Sequence, residues 1–317
     1  MKPAILILLS LSAVIAADSP ELLITNGPLK ATILLPDADR GYYRGTRFDW
    51  SGAIASLEYK GHNYFGKWFE KYDPKIHDAI MGPVEEFRTN DSALGFDEAK
   101  PGGTFIKIGV GVLRKPDDAA YQFSKYYEIV NGGKWTSSNS AGEVRFKHEL
   151  KDSSGYAYVY EKTIRLVKDK PQMIIEHRLK NTGKRSIETS VYDHNFFVID
   201  GKPSGPDFAV TFPFTVQTVA DVSKTAVANG KQLTYVRELP AGESVYTELK
   251  GYGSTAGDYD IRVENTAEKV GAHIVGDRPL SKLVFWSIRS TLCPEAYVSM
   301  KIEPGKISEW KMTYEFY

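Results

Sequence analysis

Short runs of alternating apolar and polar residues cover most of the chain, and many of the apolar members are β-branched or aromatic. A period of two is typical of strands that bury one face, and turn-forming residues separate most of these runs. The pattern predicts strands at Ala31–Leu35, Ala53–Tyr59, Thr104–Val112, Tyr121–Val130, Glu143–Leu150, Tyr156–Leu166, Gln172–Leu179, Ile187–Ile199, Val216–Val219, Gln232–Val236, Ser244–Leu249, Tyr259–Asn265, Lys282–Ile288, Tyr297–Ile302 and Ser308–Phe316.

Helical periodicity over about 12 residues or more does not occur beyond the first residues of the chain. Many strands without helices to cover them predict antiparallel sheets that pack face to face. We therefore expect an all-β protein, built as a large antiparallel β-sandwich. The least regular segment is Lys71–Gly103, which is predicted to be an inserted loop. Long loops in compact domains are usually functional when they are ordered.

The N-terminus has the pattern of a secretory signal peptide. Lys2 precedes an apolar run at 4–15, and small residues follow before Asp18. The run is too short to be a typical membrane span. We expect residues 1–17 to be removed and the remaining residues, 18–317, to form a single domain without a transmembrane segment. The mature protein is predicted to be periplasmic or secreted.

Charge and cysteine content narrow the possible functions. The 40 basic and 40 acidic residues balance, and loss of Lys2 leaves a net charge near −1. This balance does not favour nucleic acid as a partner. Cys293 is the only cysteine, so an intrachain disulfide is excluded, and nothing around it indicates a nucleophile. The scattered histidines do not have metal-ligand spacing, and we predict no metal.

Two stretches carry candidate chemistry. The first is VYDHNFFVID, which places His194 on a predicted strand between polar and aromatic neighbours. The second is FWSIRSTLCPEAYVSMKIEPG, in which Glu295 comes just before a predicted strand. A histidine can donate a proton near neutral pH and an ionised glutamate can accept one. The two residues are 101 positions apart in the sequence, so only the fold can bring them together.

These stretches resemble the galactose mutarotase-like superfamily, which includes aldose 1-epimerases and hexose-6-phosphate mutarotases. The similarity lies in LKNTGKRSIETS followed by HNFF from His194, in CPE ending at Glu295, and in the later Pro-Gly turn at 304–305. The early stretch RFDWSGAIASLEYKG is also similar to the start of that fold. The resemblance covers roughly the second half of the chain and implies a supersandwich of antiparallel sheets.

The resemblance also implies an aldose 1-epimerase-like isomerase that acts on a carbohydrate. His194 would protonate the ring oxygen of a sugar, and Glu295 would take the proton of the C1 hydroxyl. The ring would open, rotate about C1–C2 and close on its other face. This proton transfer needs no cofactor.

The chain departs from the family in ways that leave the substrate open. The His-Gly-Gly loop of the epimerases is missing, and the arginine that would hold the sugar is not fixed among Arg44, Arg47 and Arg88. Glu85 and Glu86 are further candidates for substrate contacts, although neighbours on an extended chain point to opposite sides. The remaining candidates are Asp193 to orient His194, Trp68 and Trp286 to stack on a sugar, and His77 near the loop.

Two alternatives remain. A polysaccharide or oligosaccharide lyase on the same scaffold would need a basic subsite for a uronate, for which Lys107, Arg114 and Lys115 are candidates. A non-catalytic carbohydrate-binding module would show an aromatic platform instead. An epimerase would place His194 and Glu295 on opposite walls of one cleft.

Overall fold

The protein is described from a computed structural model, in which residues 19–317 are described. The predicted signal peptide, 1–17, lies outside the described residues. The described residues form β-strands and two short 3-10 helices, at Ile199–Gly201 and Ala256–Asp258. This confirms the predicted all-β class. Among the described residues, none of the helices is long and apolar enough to cross a membrane.

The strands follow one another along the chain with short connections. They are β1 (Glu21–Thr25), β2 (Leu29–Leu34), β3 (Ile54–Tyr59), β4 (His62–Asn63), β5 (Gly82–Arg88), β6 (Thr104–Lys107), β7 (Gly111–Arg114), β8 (Ile129–Asn131), β9 (Lys134–Ser140), β10 (Glu143–Lys151), β11 (Ala157–Leu166), β12 (Gln172–Asn181), β13 (Ile187–Phe196), β14 (Phe208–Thr211), β15 (Gln217–Thr218), β16 (Ala226–Asn229), β17 (Gln232–Tyr235), β18 (Ser244–Lys250), β19 (Asp260–Asn265), β20 (Val270–Gly276), β21 (Lys282–Ile288), β22 (Thr291–Ile302) and β23 (Ile307–Phe316).

Two large sheets dominate the architecture. The ten-stranded sheet has the order β16-β17-β14-β19-β20-β23-β12-β11-β10-β9, and the six-stranded sheet has the order β15-β18-β21-β22-β13-β5. Smaller sheets are formed by β1-β2-β3-β4 and by β6-β7-β8. Neighbouring strands in the six-stranded sheet run antiparallel, as the sequence pattern predicts.

The two large sheets pack on each other and enclose the main core. Phe87 of the six-stranded sheet packs edge-on against Tyr160 and Trp310 of the ten-stranded sheet, with centroid distances of 5.4 and 6.1 Å. Elsewhere along the same interface, Tyr235 donates a hydrogen bond of 2.6 Å to Ser287. One face of the six-stranded sheet is therefore internal, and its other face is available for a site.

Two predicted strands are wrong in detail. Thr104–Val112 is a hairpin rather than one strand, because Gly109 turns the chain with φ of 77°. Tyr121–Val130 is mostly irregular and becomes a strand only at Ile129–Asn131. Tyr121 and Tyr127 stack on each other, and Tyr121 packs edge-on against Phe105 of β6, so the apolar character of these two residues does not come from strand pairing.

The predicted loop Lys71–Gly103 contains the edge strand β5, which pairs with β13. Pro83 and the consecutive glutamates Glu85 and Glu86 interrupt the alternation of apolar and polar residues, so the sequence pattern does not predict this strand. An edge strand nevertheless tolerates proline. Gly82 begins the strand with φ of 74°, where a Cβ atom would lie 2.8 Å from the carbonyl oxygen of Ile54. The structure therefore brings part of this loop beside the strand that carries His194.

Candidate active site

Strand register brings His194 and Glu295 together. Strands β13 and β22 pair at Tyr192↔Tyr297 and again, in the same register, at Phe197↔Leu292. This register places His194 opposite Glu295, and the imidazole Nε2 lies 3.2 Å from the carboxylate Oε1. Glu295 lies inside β22 rather than before a strand, because β22 begins at Thr291. The two side chains therefore touch each other instead of facing across a cleft as expected.

The pair lies in a cavity of about 400 Å³ on the face of the six-stranded sheet that points away from the ten-stranded sheet. This volume is within the range of small-molecule sites. Larger depressions of about 950 and 720 Å³ occur elsewhere on the surface, but neither contains the pair. The cavity is lined by Arg47, Trp68, His77, Asp78, Arg88, Phe123, Tyr192, His194, Phe196, Tyr246, Trp286, Glu295 and Tyr297.

Aromatic rings fix the imidazole of His194. The ring stacks on Phe196 at 3.9 Å, and Phe48 and Trp286 meet it edge-on at 5.6 and 5.4 Å. Among the residues described, Nδ1 has no hydrogen-bond partner. His194 is only 3% exposed. Burial, and secondarily the positive charge of Arg47, hold the pKa of His194 well below its usual value.

The carboxyl group of Glu295 is shifted in the opposite direction. Burial raises its pKa to about 7, and the negative charge of Glu86 adds to this, against the opposing effect of Arg47. The hydroxyl of Tyr297 donates a hydrogen bond of 3.4 Å to Glu295 Oε2. Between the two pKa values the pair holds a single proton, so one member can act as an acid while the other acts as a base.

Two of the three candidate arginines line the cavity. The Nε of Arg47 lies 2.8 Å from Glu86, and its Nη2 donates to the hydroxyl of Tyr192 at 3.2 Å. Arg88 is near the same carboxylate. Arg44 does not line the cavity and instead donates to the carbonyl of Asp39.

Strand alternation places Glu85 and Glu86 on opposite faces of β5. Glu86 faces the arginines of the cavity, whereas Glu85 points into the interface between the sheets. Asp193 also points into that interface, where the hydroxyl of Tyr314 lies 3.1 Å from its carboxyl group. The structure therefore contradicts substrate contacts for Glu85 and Asp193, and an orienting contact from Asp193 to His194. Asp193 precedes His194 and lies on the other face.

Among the described residues, Glu85, His177 and Asp193 bring potential metal-ligand atoms within 4.8 Å of one another. Lys162 binds the same glutamate with its ammonium group. His177 Nε2 lies 2.7 Å from Glu85, and burial lowers the pKa of this histidine. The lysine thus supplies a positive charge at the place where a metal ion would do so.

The other candidates separate into two sets. Trp68, Trp286 and His77 all line the cavity. Lys107 lies beneath the cavity and is bound to Glu86 at 3.0 Å. The two remaining cations of the predicted lyase subsite lie away from it, because Arg114 pairs with Glu128 and Lys115 binds the carbonyl of Phe96.

Several lining residues were not found from the sequence. Tyr192 and Tyr297 lie two positions from His194 and Glu295, so the period of two on each strand was a usable signal. Tyr246 is brought alongside Trp286 by the register of β18 and β21. Phe123 comes from an irregular segment and had no signal in the local pattern.

Comparisons with solved structures agree with the architecture. The structure is similar to an aldose epimerase homologue from C. elegans (13% identity, 95% of this chain and 99% of that chain, TM-score 0.56). It is also similar to a galactose mutarotase-like protein from Clostridium acetobutylicum (14%, 96% and 96%, 0.57) and to a galactose mutarotase related enzyme from Lactobacillus acidophilus (11%, 94% and 97%, 0.55). No protein-family model and no curated protein matches the chain.

These likenesses show that the chain has the galactose mutarotase-like fold, an antiparallel supersandwich. The predicted superfamily resemblance is confirmed at the level of the fold. Identities of 11–14% show a shared fold and do not by themselves assign a reaction.

Proposed function

We propose that this protein is a carbohydrate-active enzyme that interconverts the anomers of a sugar by proton transfer through His194 and Glu295. The observation that carries the proposal is the 3.2 Å contact between these two groups at the wall of a cavity of about 400 Å³. Trp286 beside them offers the apolar surface that suits the C–H face of a sugar, and the arginines offer donors for its hydroxyl groups.

Direct contact between the two groups is compatible with this chemistry. The two oxygens that exchange protons in a cyclic sugar, the ring oxygen and the C1 hydroxyl, are bonded to the same carbon. An acid and a base that touch each other can therefore each reach one oxygen. The base removes the C1 hydroxyl proton while C1=O forms, the bond from C1 to the ring oxygen breaks, and the acid protonates that oxygen. Rotation about C1–C2 and the reverse steps give the other anomer.

The proposal is tested by NMR exchange spectroscopy with freshly dissolved aldoses and uronates, using residues 18–317. The protein should accelerate anomer exchange above the buffer rate. His194→Ala and Glu295→Ala should each lower the acceleration by at least about 100-fold, since general acid–base groups typically contribute that much. His273→Ala is a matched control, because His273 pairs with Asp260 on the ten-stranded sheet.

Two results would oppose the proposal. One is exchange at the buffer rate across the whole panel of sugars. The other is acceleration that survives both substitutions, which would assign the chemistry to other groups. Circular dichroism of each variant would establish that the fold is retained.

A further inference from the structure

A single buried carboxylate beside the acid–base pair is surrounded by three cations. Glu86 lies 3.0 Å from Lys107 Nζ, 2.8 Å from Arg47 Nε and 4.0 Å from Arg88 Nε. The hydroxyl of Tyr192 also donates to it at 2.5 Å. Burial alone would raise the pKa of Glu86, but the three cations lower it well below its usual value. The carboxylate is therefore ionised and already saturated with partners.

The neighbouring acidic groups do not balance the remaining charge. Asp91 lies 3.8 Å from Arg88, but its side chain is 79% exposed and its interaction is screened by water. Asp78 contacts His77 at 3.4 Å and, among the described residues, forms no ion pair with Arg47, Arg88 or Lys107. Glu295 has its pKa raised to about 7 and is therefore a weak counterion at neutral pH. The cluster of Arg47, Arg88, Lys107 and Glu86 thus carries two positive charges in excess.

Lys107 reflects this excess. Its pKa is lowered to about 8, first by burial and further by the nearby guanidinium groups of Arg88 and Arg47, against the opposing effect of Glu86. If the negative charges of the cluster matched its positive charges, the pKa of Lys107 would be higher, because the repulsion from the two guanidinium groups would be offset. After burial, the two guanidinium groups also disfavour the charge on Lys107, as expected in a cluster with excess positive charge.

Two of the cations face the cavity. The side chains of Arg47 and Arg88 are 11% and 18% exposed and belong to its lining. The guanidinium of Arg47 lies 4.4 Å from the ring centroids of both Phe48 and Phe123, which fix its orientation. Arg88 Nε has no hydrogen-bond partner among the residues that the structure describes. Guanidinium groups held in this way are suited to carboxylate or phosphate groups.

We propose that the sugar bound in this cavity carries an anionic group, a carboxylate or a phosphate, which lies against Arg47 and Arg88. The proposal rests on the proposed function for the position of the sugar ring. The cations surround Glu86, which pairs with Tyr192, two residues along β13 from His194. Two residues of strand extend about 7 Å. A pyranose ring with its C1 at the pair spans this distance with an exocyclic group.

Matched sugars test the proposal. Affinity from calorimetry and anomer exchange from NMR are measured for galactose, galacturonate and galactose 6-phosphate at pH 7. At least one anionic sugar should bind at least about tenfold more tightly than galactose, and the preference should shrink as salt is raised. A preference for galacturonate identifies a carboxylate, and a preference for the phosphate ester identifies phosphate. Equal or tighter binding of galactose would overturn the proposal.

A pair of variants separates charge recognition from general damage to the site. Arg88→Met should lower affinity for the preferred anionic sugar at least about tenfold more than affinity for galactose. Arg114→Met removes a cation that is paired with Glu128 outside the cavity, and it should leave the preference unchanged. An equal loss for both sugars in Arg88→Met would count against the proposal.

The outcomes for this proposal and for the proposed function are distinct. Preferential binding of an anionic sugar without anomer exchange would retain the anionic ligand and reject the epimerase chemistry. Exchange of neutral sugars without any anionic preference would have the opposite meaning.

Discussion

The central pair is best understood as two groups that share one proton. Burial lowers the pKa of His194 and raises that of Glu295 to about 7, so each group is shifted toward its neutral form. The neutral pair and the ion pair differ only by transfer of one proton across the 3.2 Å contact. Which residue is called the acid therefore matters less than whether the pair holds its single proton.

This single proton predicts the pH dependence of anomer exchange. As pH rises through about 7, Glu295 loses the proton and the pair has no acid left. At a pH well below 6.5, His194 is protonated as well as Glu295. The pair then holds two protons and has no base left. We expect kcat/KM, corrected for buffer catalysis, to fall on the alkaline side of about pH 7.

The pH prediction is checked by NMR rates across the range from about pH 5 to pH 9. Glu295→Gln cannot titrate, so any residual activity should lack the step near pH 7. A wild-type profile that is flat across this range would show that the pair does not control the rate.

At the level of the strand, a side-chain hydrogen bond joins β13 and β22 next to the His194–Glu295 pair, where the backbone ladder is interrupted. Phe197 and Leu292 exchange backbone hydrogen bonds of 3.2 and 3.4 Å, so the next hydrogen-bonded pair along an antiparallel ladder is Asn195 with Pro294. Proline has no N–H to donate. The side chain of Asn195 instead donates a bond of 2.8 Å to the carbonyl of Pro294.

The amide of Asn195 is itself held in place. The hydroxyl of Tyr314 donates to its Oδ1 at 2.7 Å. Burial and the charge of Glu85 raise the pKa of Asp193, whose protonated carboxyl group can donate to the Tyr314 oxygen in turn. Asn195 follows His194 and bonds the residue before Glu295. These hydrogen bonds therefore position His194 and Glu295 from the opposite face of the sheet.

Asn195→Ala should therefore weaken both stability and activity. It removes the side-chain donor to the carbonyl of Pro294 and one of the two partners of the Tyr314 hydroxyl, which is expected to lower the free energy of unfolding by about 1–3 kcal/mol. Urea unfolding measures this change, with Asn139→Ala on the exposed edge strand β9 as the control. A loss no larger than that of the control would contradict the role of Asn195.

A conservative variant separates positioning from stability. Asn195→Asp keeps the volume, but only a protonated carboxyl group can donate to Pro294. Its kcat relative to the wild type should therefore rise as pH is lowered. A ratio that is constant with pH would leave Asn195 with a purely structural role.

The same strands show how far the sequence predicts the site. The long runs that became β10–β13 were predicted nearly to their ends, because one face of each alternates with the core. β5 was missed, since Pro83 and paired glutamates break the pattern. The register that joins His194 to Glu295 arises from pairing between distant strands and has no local signal. Alternation also showed that Glu85 and Glu86 diverge, but not which of them faces the cavity.

At the scale of the whole molecule, the two large sheets enclose a charged cluster as well as an apolar core. Lys162 is fully buried, donates to the carbonyl of Ser51 at 2.9 Å and binds Glu85. Asp49 and Asp193 lie near the same glutamate, and burial raises the pKa of both, to about 7 for Asp49. Glu85 keeps its charge because Lys162 and then His177 lower its pKa to about 2, against the effect of burial.

Removal of the lysine should therefore destabilise the junction of the sheets. Lys162→Met leaves a buried carboxylate without its cation, and such losses typically amount to about 3–5 kcal/mol. The double variant Lys162→Met with Glu85→Gln should recover part of this loss, because the uncompensated charge is gone. Urea unfolding measures both, with Lys168→Met on an exposed turn as the control. If Lys162→Met unfolds like the control, Lys162 is not the counterion that lets the two sheets close over Glu85.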